Sequence, residues 1–451
     1  MLAQCLLATP TGSIVNILSR CLSTAPPNTT LVIGGGPVGL CTAYHLALSS
    51  PRSNITVLER DPTYARASAT LSAGGIRQQF SLKQNVQMSI YGRDFLRSAH
   101  ELLRVDEEEV DVQFQEKGYL FLASTESGAE VMRRNHEVQV GEGAGVKLLN
   151  CHELKEKFPW LNTSDIVLGS YGETGEGWFD PWILLRALRR KCQSLGVTIL
   201  KGYPICASRD NDTGRILSVS VVEQHGGKDI TSMYKVDNVV NAAGAHCAQL
   251  MAMLAGQKKL MHPIPVEPRK RCIFFFHCAT EQKDIIVPRI APLTICPISN
   301  VYFRSEGHVE DSGEATGNFL CGVSPTKEKD HMVHEMTDID YADHELWEEI
   351  IWPALYHRVP AFGEVKLKSS WAGLYEYNTL DQNAIIDFHP EIPNVLMACG
   401  FSGHGLQQAP AAGRAAAELL VNGEFQTLDL GMFSFDRCYG KKPPVFELGI
   451  V

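Results

Sequence analysis

Gly34, Gly36 and Gly39 in GGGPVG, with Glu59 placed 20 residues after Gly39, are the residues whose types and spacing point to chemistry. Gly34 allows a sharp turn out of a strand, Gly36 lets the backbone approach a pyrophosphate, and Gly39 lets the following helix pack closely on a sheet. The amides and partial positive charge of that helix N-terminus require an anion, and Glu59 is positioned to accept hydrogen bonds from ribose hydroxyls. An adenine dinucleotide meets both demands. A bare GxGxxG also arises as a chance glycine turn; here the apolar run, the helix and the distant acid all stand in the required order.

The elements that must hold these residues follow from periodicity. Residues 31 to 59 read as strand, glycine turn, helix, loop and strand. ASATLSAGG, with Ser68, Ala69, Thr70, Leu71, Gly74 and Gly75, is rich enough in small and hydroxylated residues to wall a flat ligand, although such a stretch also suits a plain flexible loop. A packed helix is expected over 84–105, and short β-like runs around a polar helix over 111–166. Asp180 caps a helix opened by Pro181 and ended by Gly196. NAAGAH places Ala243 and Gly244 at a strand's carboxyl end, where open α/β sheets bind ligands and where a tight packing turn would read the same. VEPRKRCIFFFH, VYFRSEG and GNFLCGV read as an antiparallel sheet, 343–357 as a helix, and NVLMACG as a strand entering a glycine turn and an alanine-rich helix.

The fold expected is α/β: a Rossmann-like dinucleotide-binding domain, a parallel sheet with helices, from 30–110, 167–255 and 366–430, beside a mainly antiparallel β substrate-type domain from 111–166 and 256–365, with a tail over 431–451.

A net charge of −10 excludes phosphate-backbone binding as the main task, and no nucleic-acid module is present. The thirteen cysteines form no CxxC pair and no zinc spacing, which points to a reducing interior and to no metal. No run reaches the roughly 18 to 20 apolar residues of a membrane helix. Residues 1–29 contain no acid, the first in the chain being Glu59, and are rich in hydroxylated and apolar residues with Arg20, so they read as a mitochondrial targeting segment or a disordered tail.

GFSGHGLQQAP after an apolar strand, together with GGGPVG, ASATLSAGG and NAAG in this order, resembles the D-amino-acid-oxidase-like flavoprotein superfamily, in the branch of sarcosine oxidase and dimethylglycine dehydrogenase. The resemblance covers about residues 30 to 430. It implies FAD with its adenosine end on Gly34, Gly35, Gly36, Pro37, Val38, Gly39, Glu59 and Arg60, its pyrophosphate also near Ser68 to Gly75, and its flavin end near Gly400, Ser402, Gly403, His404, Gly405 and Leu406. Arg77 and His404 are the candidate polar groups beside the ring; a structural arginine and a turn histidine are the competing readings. More narrowly, YGETGEGWFDPW, WAGLYEYNTLDQN and VEPRKR resemble a mitochondrial branch implicated in assembling respiratory complex I. That resemblance implies complex I subunits or assembly intermediates as partners, in the matrix or peripherally on the inner membrane.

The departures from the superfamily pattern bear on activity. The histidine that tethers flavin in sarcosine and dimethylglycine dehydrogenases falls on Ser72, and the tethering cysteine of sarcosine oxidase on Gly373, so the FAD is expected to be non-covalent. The oxygen-activating lysine falls on Leu320 and the carboxylate-binding lysine on Gln407. Two functions compete: a flavin dehydrogenase taking hydride from a carbon beside nitrogen in a small amine, and an assembly factor that binds FAD and contacts partner subunits.

Overall fold

The structure, a computed structural model, describes residues 28–448 apart from 280, 283–284, 308–315 and 327; residues 1–27 of the expected targeting segment lie outside the described residues. Strand Thr29–Ile33 buries Thr30 and the apolar run Leu31, Val32 and Ile33 on both of its faces, because the parallel sheet in which it lies is covered on both sides. From one edge that sheet runs 228–235, 216–225, 198–209, 54–59, 29–33, 238–241, 392–399 and 385–389. Its five central strands are parallel, and the outer ones are added as antiparallel hairpins.

Helix Pro37–Ser49 carries ten buried residues, almost all round its axis, since it is clasped between the sheet and helices Pro181–Ser194 and Gly405–Asn422. Gly413 makes this contact possible, because a Cβ there would lie 2.4 Å from the Cys41 carbonyl carbon. Helix Pro181–Ser194 is capped by Asp180, whose carboxylate accepts from the amides of Trp182 at 2.8 Å and Ile183 at 3.0 Å. The helix expected over 84–105 runs Lys83–Arg97 and then breaks at Ser98 before a short Ala99–Leu102 turn.

The second sheet runs 365–378, 266–278, 318–323, 301–305, 293–295, 119–123, 168–174 and 145–149, antiparallel except between 293–295 and 119–123. Its outer face packs a phenylalanine core in which Phe276 and Phe303 meet Phe362 edge to face.

Three expected boundaries change. Strand Leu168–Thr174 pairs with Tyr119–Ala123, and strand Val365–Asn378 pairs with Val266–Cys278 along its length, so both belong to the second sheet although 167–255 and 366–430 were assigned to the first. Alternating strands look alike in either sheet, and only the ladder partner separates them. Residues 431–448 are packed rather than a loose tail: Phe433 and Phe435 are buried, and Arg437 pairs with Asp381 at 2.7 Å. Among the described residues, no helix is long and apolar enough to cross a membrane.

Candidate functional site

A cavity of about 490 Å³, within the roughly 300 to 1,000 Å³ of ordinary ligand pockets, lies between the carboxyl ends of the parallel strands and the inner face of the second sheet. Its floor is the turn after the first strand. Gly34 has φ +109°, and a Cβ there would lie 2.2 Å from the Ala242 carbonyl oxygen; one at Gly39 would lie 1.9 Å from the Gly34 oxygen. Both glycines are dictated by packing. Gly36 differs: it lines the cavity, and a Cβ on it would meet nothing within 4 Å, so its missing side chain leaves space for a ligand rather than for protein. Pro37 and Val38 line the cavity at the start of the helix, while Gly35 stands behind the turn with its amide 2.8 Å from Glu59 Oε2.

Glu59 lines the cavity and also accepts from the Asp61 amide at 2.8 Å. Burial raises its carboxyl pKa, and the two amides oppose that rise. Each oxygen has one lone pair engaged, which leaves acceptor capacity toward the cavity. Arg60 lines the same end, opposite His246, whose imidazole is held below its ordinary range by burial and then by the Arg60 charge.

Ser68, Ala69, Leu71, Gly74 and Gly75 form the second wall. Thr70 does not line it; its hydroxyl donates to the Tyr64 carbonyl at 2.7 Å and holds the loop closed. Ala243 and Gly244 form the third wall, and Gly244, at φ +54° with nothing within 4 Å of a built Cβ, is a second open cradle. Gly403, His404, Gly405 and Leu406 form the fourth. Gly400 and Ser402 support it from behind: the Gly400 amide donates to Glu376 Oε2 at 2.9 Å, and Ser402, at φ +47°, accepts from the Asn378 amide at 2.9 Å.

Arg77 is brought to the same place. Its guanidinium lies 4.0 Å from the Phe80 ring centroid, donates to the Gln79 carbonyl, and has Nη2 3.2 Å from His404 Nε2. Burial, and then the Arg77 charge, hold His404 well below its ordinary pKa, so its imidazole is neutral and suited to hydrogen bonding rather than to carrying charge. Gln407 lines the cavity and its side-chain Oε1 accepts from the Arg77 backbone amide at 2.8 Å. Gly373 and Ser72 also line the cavity; Leu320 does not, being buried opposite Phe275 and Arg304 in the sheet.

The roof went unread in the sequence. Tyr119, Arg271, Ile273, Tyr302, Tyr375 and Glu376 reach the cavity from the second sheet. Within VEPRKRCIFFFH, Arg271 and Ile273 alternate with the buried Cys272 and Phe274, a period of two that marks one face for the core and the other for something else. Burial raises Glu376 to about 7 against the opposing amides of Gly400 and Phe401.

A dinucleotide cradle at the carboxyl ends of parallel strands, roofed by an antiparallel sheet, defines a flavin-dependent oxidoreductase fold. The chain belongs to the FAD dependent oxidoreductase family, whose sequence model matches residues 29–419. It is 42% identical to FAD-dependent oxidoreductase domain-containing protein 1 of Xenopus laevis, over 98% of this chain and 87% of that one. Human mitochondrial sarcosine dehydrogenase is 24% identical over 91% of this chain, which spans 42% of that longer protein. Among solved structures, L-proline dehydrogenase from P. horikoshii superposes with a TM-score of 0.73 at 26% identity, covering 92% of this chain and 98% of that one.

FAD is the cofactor of this family, and the cradles at Gly36 and Gly244 with the acceptor Glu59 fit its pyrophosphate and ribose. Bound there, FAD supplies an electron-accepting ring, while the chain binds and orients it and sets the charge around it.

Proposed function

We propose that this chain is an FAD-binding oxidoreductase-fold protein of the mitochondrial matrix, or of the matrix face of the inner membrane, that serves assembly of respiratory complex I by contacting its subunits or assembly intermediates. The resemblance of VEPRKR, YGETGEGWFDPW and WAGLYEYNTLDQN supports the role, and the acid-free N-terminal residues support the compartment. The observation that carries the reading is the neutral amide of Gln407, tied to the Arg77 backbone at the flavin end of an otherwise complete cradle. Exchanging a fixed charge for an amide there forfeits a charge-assisted hydrogen bond to a substrate carboxylate, worth roughly 1.5 to 3 kcal/mol or about ten- to a hundredfold in binding. Such a site keeps its flavin and turns over amino acids poorly. The FAD is held non-covalently, since Ser72 and Gly373 offer no tether, so acid precipitation should free it.

Native-gel quantification of complex I in cells lacking the protein, beside a profile of N-methylated amino acids, tests the role. Depleted complex I with unchanged amines is expected; normal complex I with accumulated sarcosine or dimethylglycine would reverse the reading.

The second reading is a flavin-dependent dehydrogenase of a small N-methyl or secondary amine, such as an amino-acid derivative. The roof of the cavity, to which Tyr119, Arg271 and Tyr302 contribute, favours it. Anaerobic reduction of the bound flavin by a panel of N-methyl amino acids decides it.

A further inference from the structure

Helix Lys83–Arg97 has no cap of its own: its N-cap residue is Leu82, which offers no side-chain oxygen, and its first turn contains no acid. The cap comes instead from 366 residues along the chain. Glu447 accepts from the Ser81 amide at 2.6 Å, the Leu82 amide at 3.1 Å and Asn85 Nδ2 at 3.0 Å, so a carboxylate lies where a helix N-terminus favours negative charge.

Two short routes join this cap to the cavity. Ser81 follows Phe80, whose ring meets His404 edge to face at 4.9 Å and lies 4.0 Å from the Arg77 guanidinium. Asn85 accepts from Gln408 Nε2 at 3.2 Å, and the Gln408 amide donates to the His404 carbonyl at 3.1 Å. Phe80, Asn85, His404 and Gln408 are all buried, and close-packed side chains pass a displacement on to their neighbours.

The segment that delivers Glu447 is lightly held. Residues 443–448 form neither helix nor strand, and Phe446 and Leu448 are 55% and 66% exposed on either side of the buried Glu447. Its remaining attachments are polar. The Val445 amide donates to Asp381 Oδ2 at 3.2 Å, the Val445 carbonyl accepts from Asn383 Nδ2 at 2.5 Å, and the Leu448 amide donates to Ser81 Oγ at 2.9 Å. A segment held by hydrogen bonds with little apolar burial opens at low free energy while the rest of the fold stays intact.

We infer that residues 443–448 are a detachable strap coupled to the cavity. Docked, Glu447 caps helix Lys83–Arg97 and steadies the wall that carries His404 and Gln407; released, it leaves the helix uncapped and the wall loose, and FAD departs faster. Linkage is reciprocal, so FAD in the cavity holds the strap down. The exposed Phe446 and Leu448 thereby become an outside handle on the cofactor. This coupling goes beyond both functional readings and requires only that FAD occupies the cavity.

The test uses the full-length FAD-loaded protein. In the wild type, hydrogen exchange should show the Val445 and Leu448 amides opening about tenfold or more faster than the amides of residues 87–97 in the helix. Glu447→Ala should release FAD about fivefold or more faster than wild type, read as free flavin appearing after dilution. Glu447→Gln, which keeps an acceptor oxygen without the charge, should fall between the two, and Phe446→Ala should match wild type. Should Glu447→Ala fail to fold, Glu447→Gln carries the comparison. Strap amides that exchange as slowly as the helix, or FAD release at the wild-type rate in the Glu447 variants, would overturn the inference. Loss of protection along the whole of helix Lys83–Arg97 in those variants would overturn it too, because Glu447 would then serve only the helix's stability.

Discussion

Gly36 and Gly34 are two residues apart and answer to different forces. A valine at Gly36 would project into the cavity, at a backbone φ of −71° that valine adopts without strain, and would touch no protein atom. Gly36→Val should therefore fold normally and lose FAD, which the flavin-to-protein absorbance ratio of the folded variant reports; an unchanged ratio would mean that the turn does not hold the pyrophosphate. Glu176 makes a second prediction at this scale. Its carboxyl is fully buried, accepts from the Gln78 amide at 2.5 Å and Gln79 Nε2 at 2.7 Å, and is raised by burial from 4.5 to about 7. Between those values the folded protein keeps a proton that the unfolded chain has released, so the stability from this group is complete below pH 4.5 and is lost as pH rises through 7. Each such group steepens the decline by up to about 1.4 kcal/mol per pH unit. Glu176→Gln, which stays neutral, should flatten the fall of melting temperature across this range, with Glu376, also raised to about 7, maintaining the remainder.

At the scale of elements, the cavity wall formed by Gly403, His404, Gly405 and Leu406 depends on how closely three helices meet. Helix Gly405–Asn422 carries His404 at its cap and Gln407 in its first turn, and two glycine contacts set its position. Gly413 abuts Cys41 on helix Pro37–Ser49, and a Cβ at Gly92 of helix Lys83–Arg97 would lie 2.1 Å from the Gln407 carbonyl oxygen. Backbone has little room to yield, so Gly413→Ala should cost roughly 1 to 3 kcal/mol, the usual penalty of overpacking, offset in part by alanine's better helix propensity. Chemical denaturation of the FAD-free protein measures it, and a stabilised variant would show that the helices separate more readily than the contact distance implies.

At the scale of the molecule, the C-terminal residues close the fold. Arg437 and Asp381 are an almost fully buried pair, and Arg437 also donates to the carbonyls of Asn383 and Ala384 in the chain leading to strand Ile385–His389. Farther on, Glu447 accepts from the amides of Ser81 at 2.6 Å and Leu82 at 3.1 Å, at the start of helix Lys83–Arg97. Arg437→Met leaves the Asp381 carboxylate buried and uncompensated, which should cost about 3 to 5 kcal/mol. Replacing both residues with apolar ones should restore much of that loss, and thermal melts of the single and double variants check both expectations.

The sequence by itself determined the floor of the site. Gly34, Gly36, Gly39 and Glu59 lie within one strand–turn–helix–strand unit, so their spacing along the chain is their spacing in space, and local rules of turns and helix ends suffice to read them. The strand over 392–399 and its glycine turn were legible for the same reason. Only the tertiary structure decided the roof. Arg271 meets Gly373 through a ladder joining segments about a hundred residues apart, and an alternating pattern does not name the strand it will pair with. That indifference also puts 168–174 and 366–378 with the first sheet when the pattern alone is read. It hid Arg271, Tyr302 and Tyr375 as well, because a polar or aromatic residue on a strand reads as exposed surface until a second sheet edge or a cavity is placed against it.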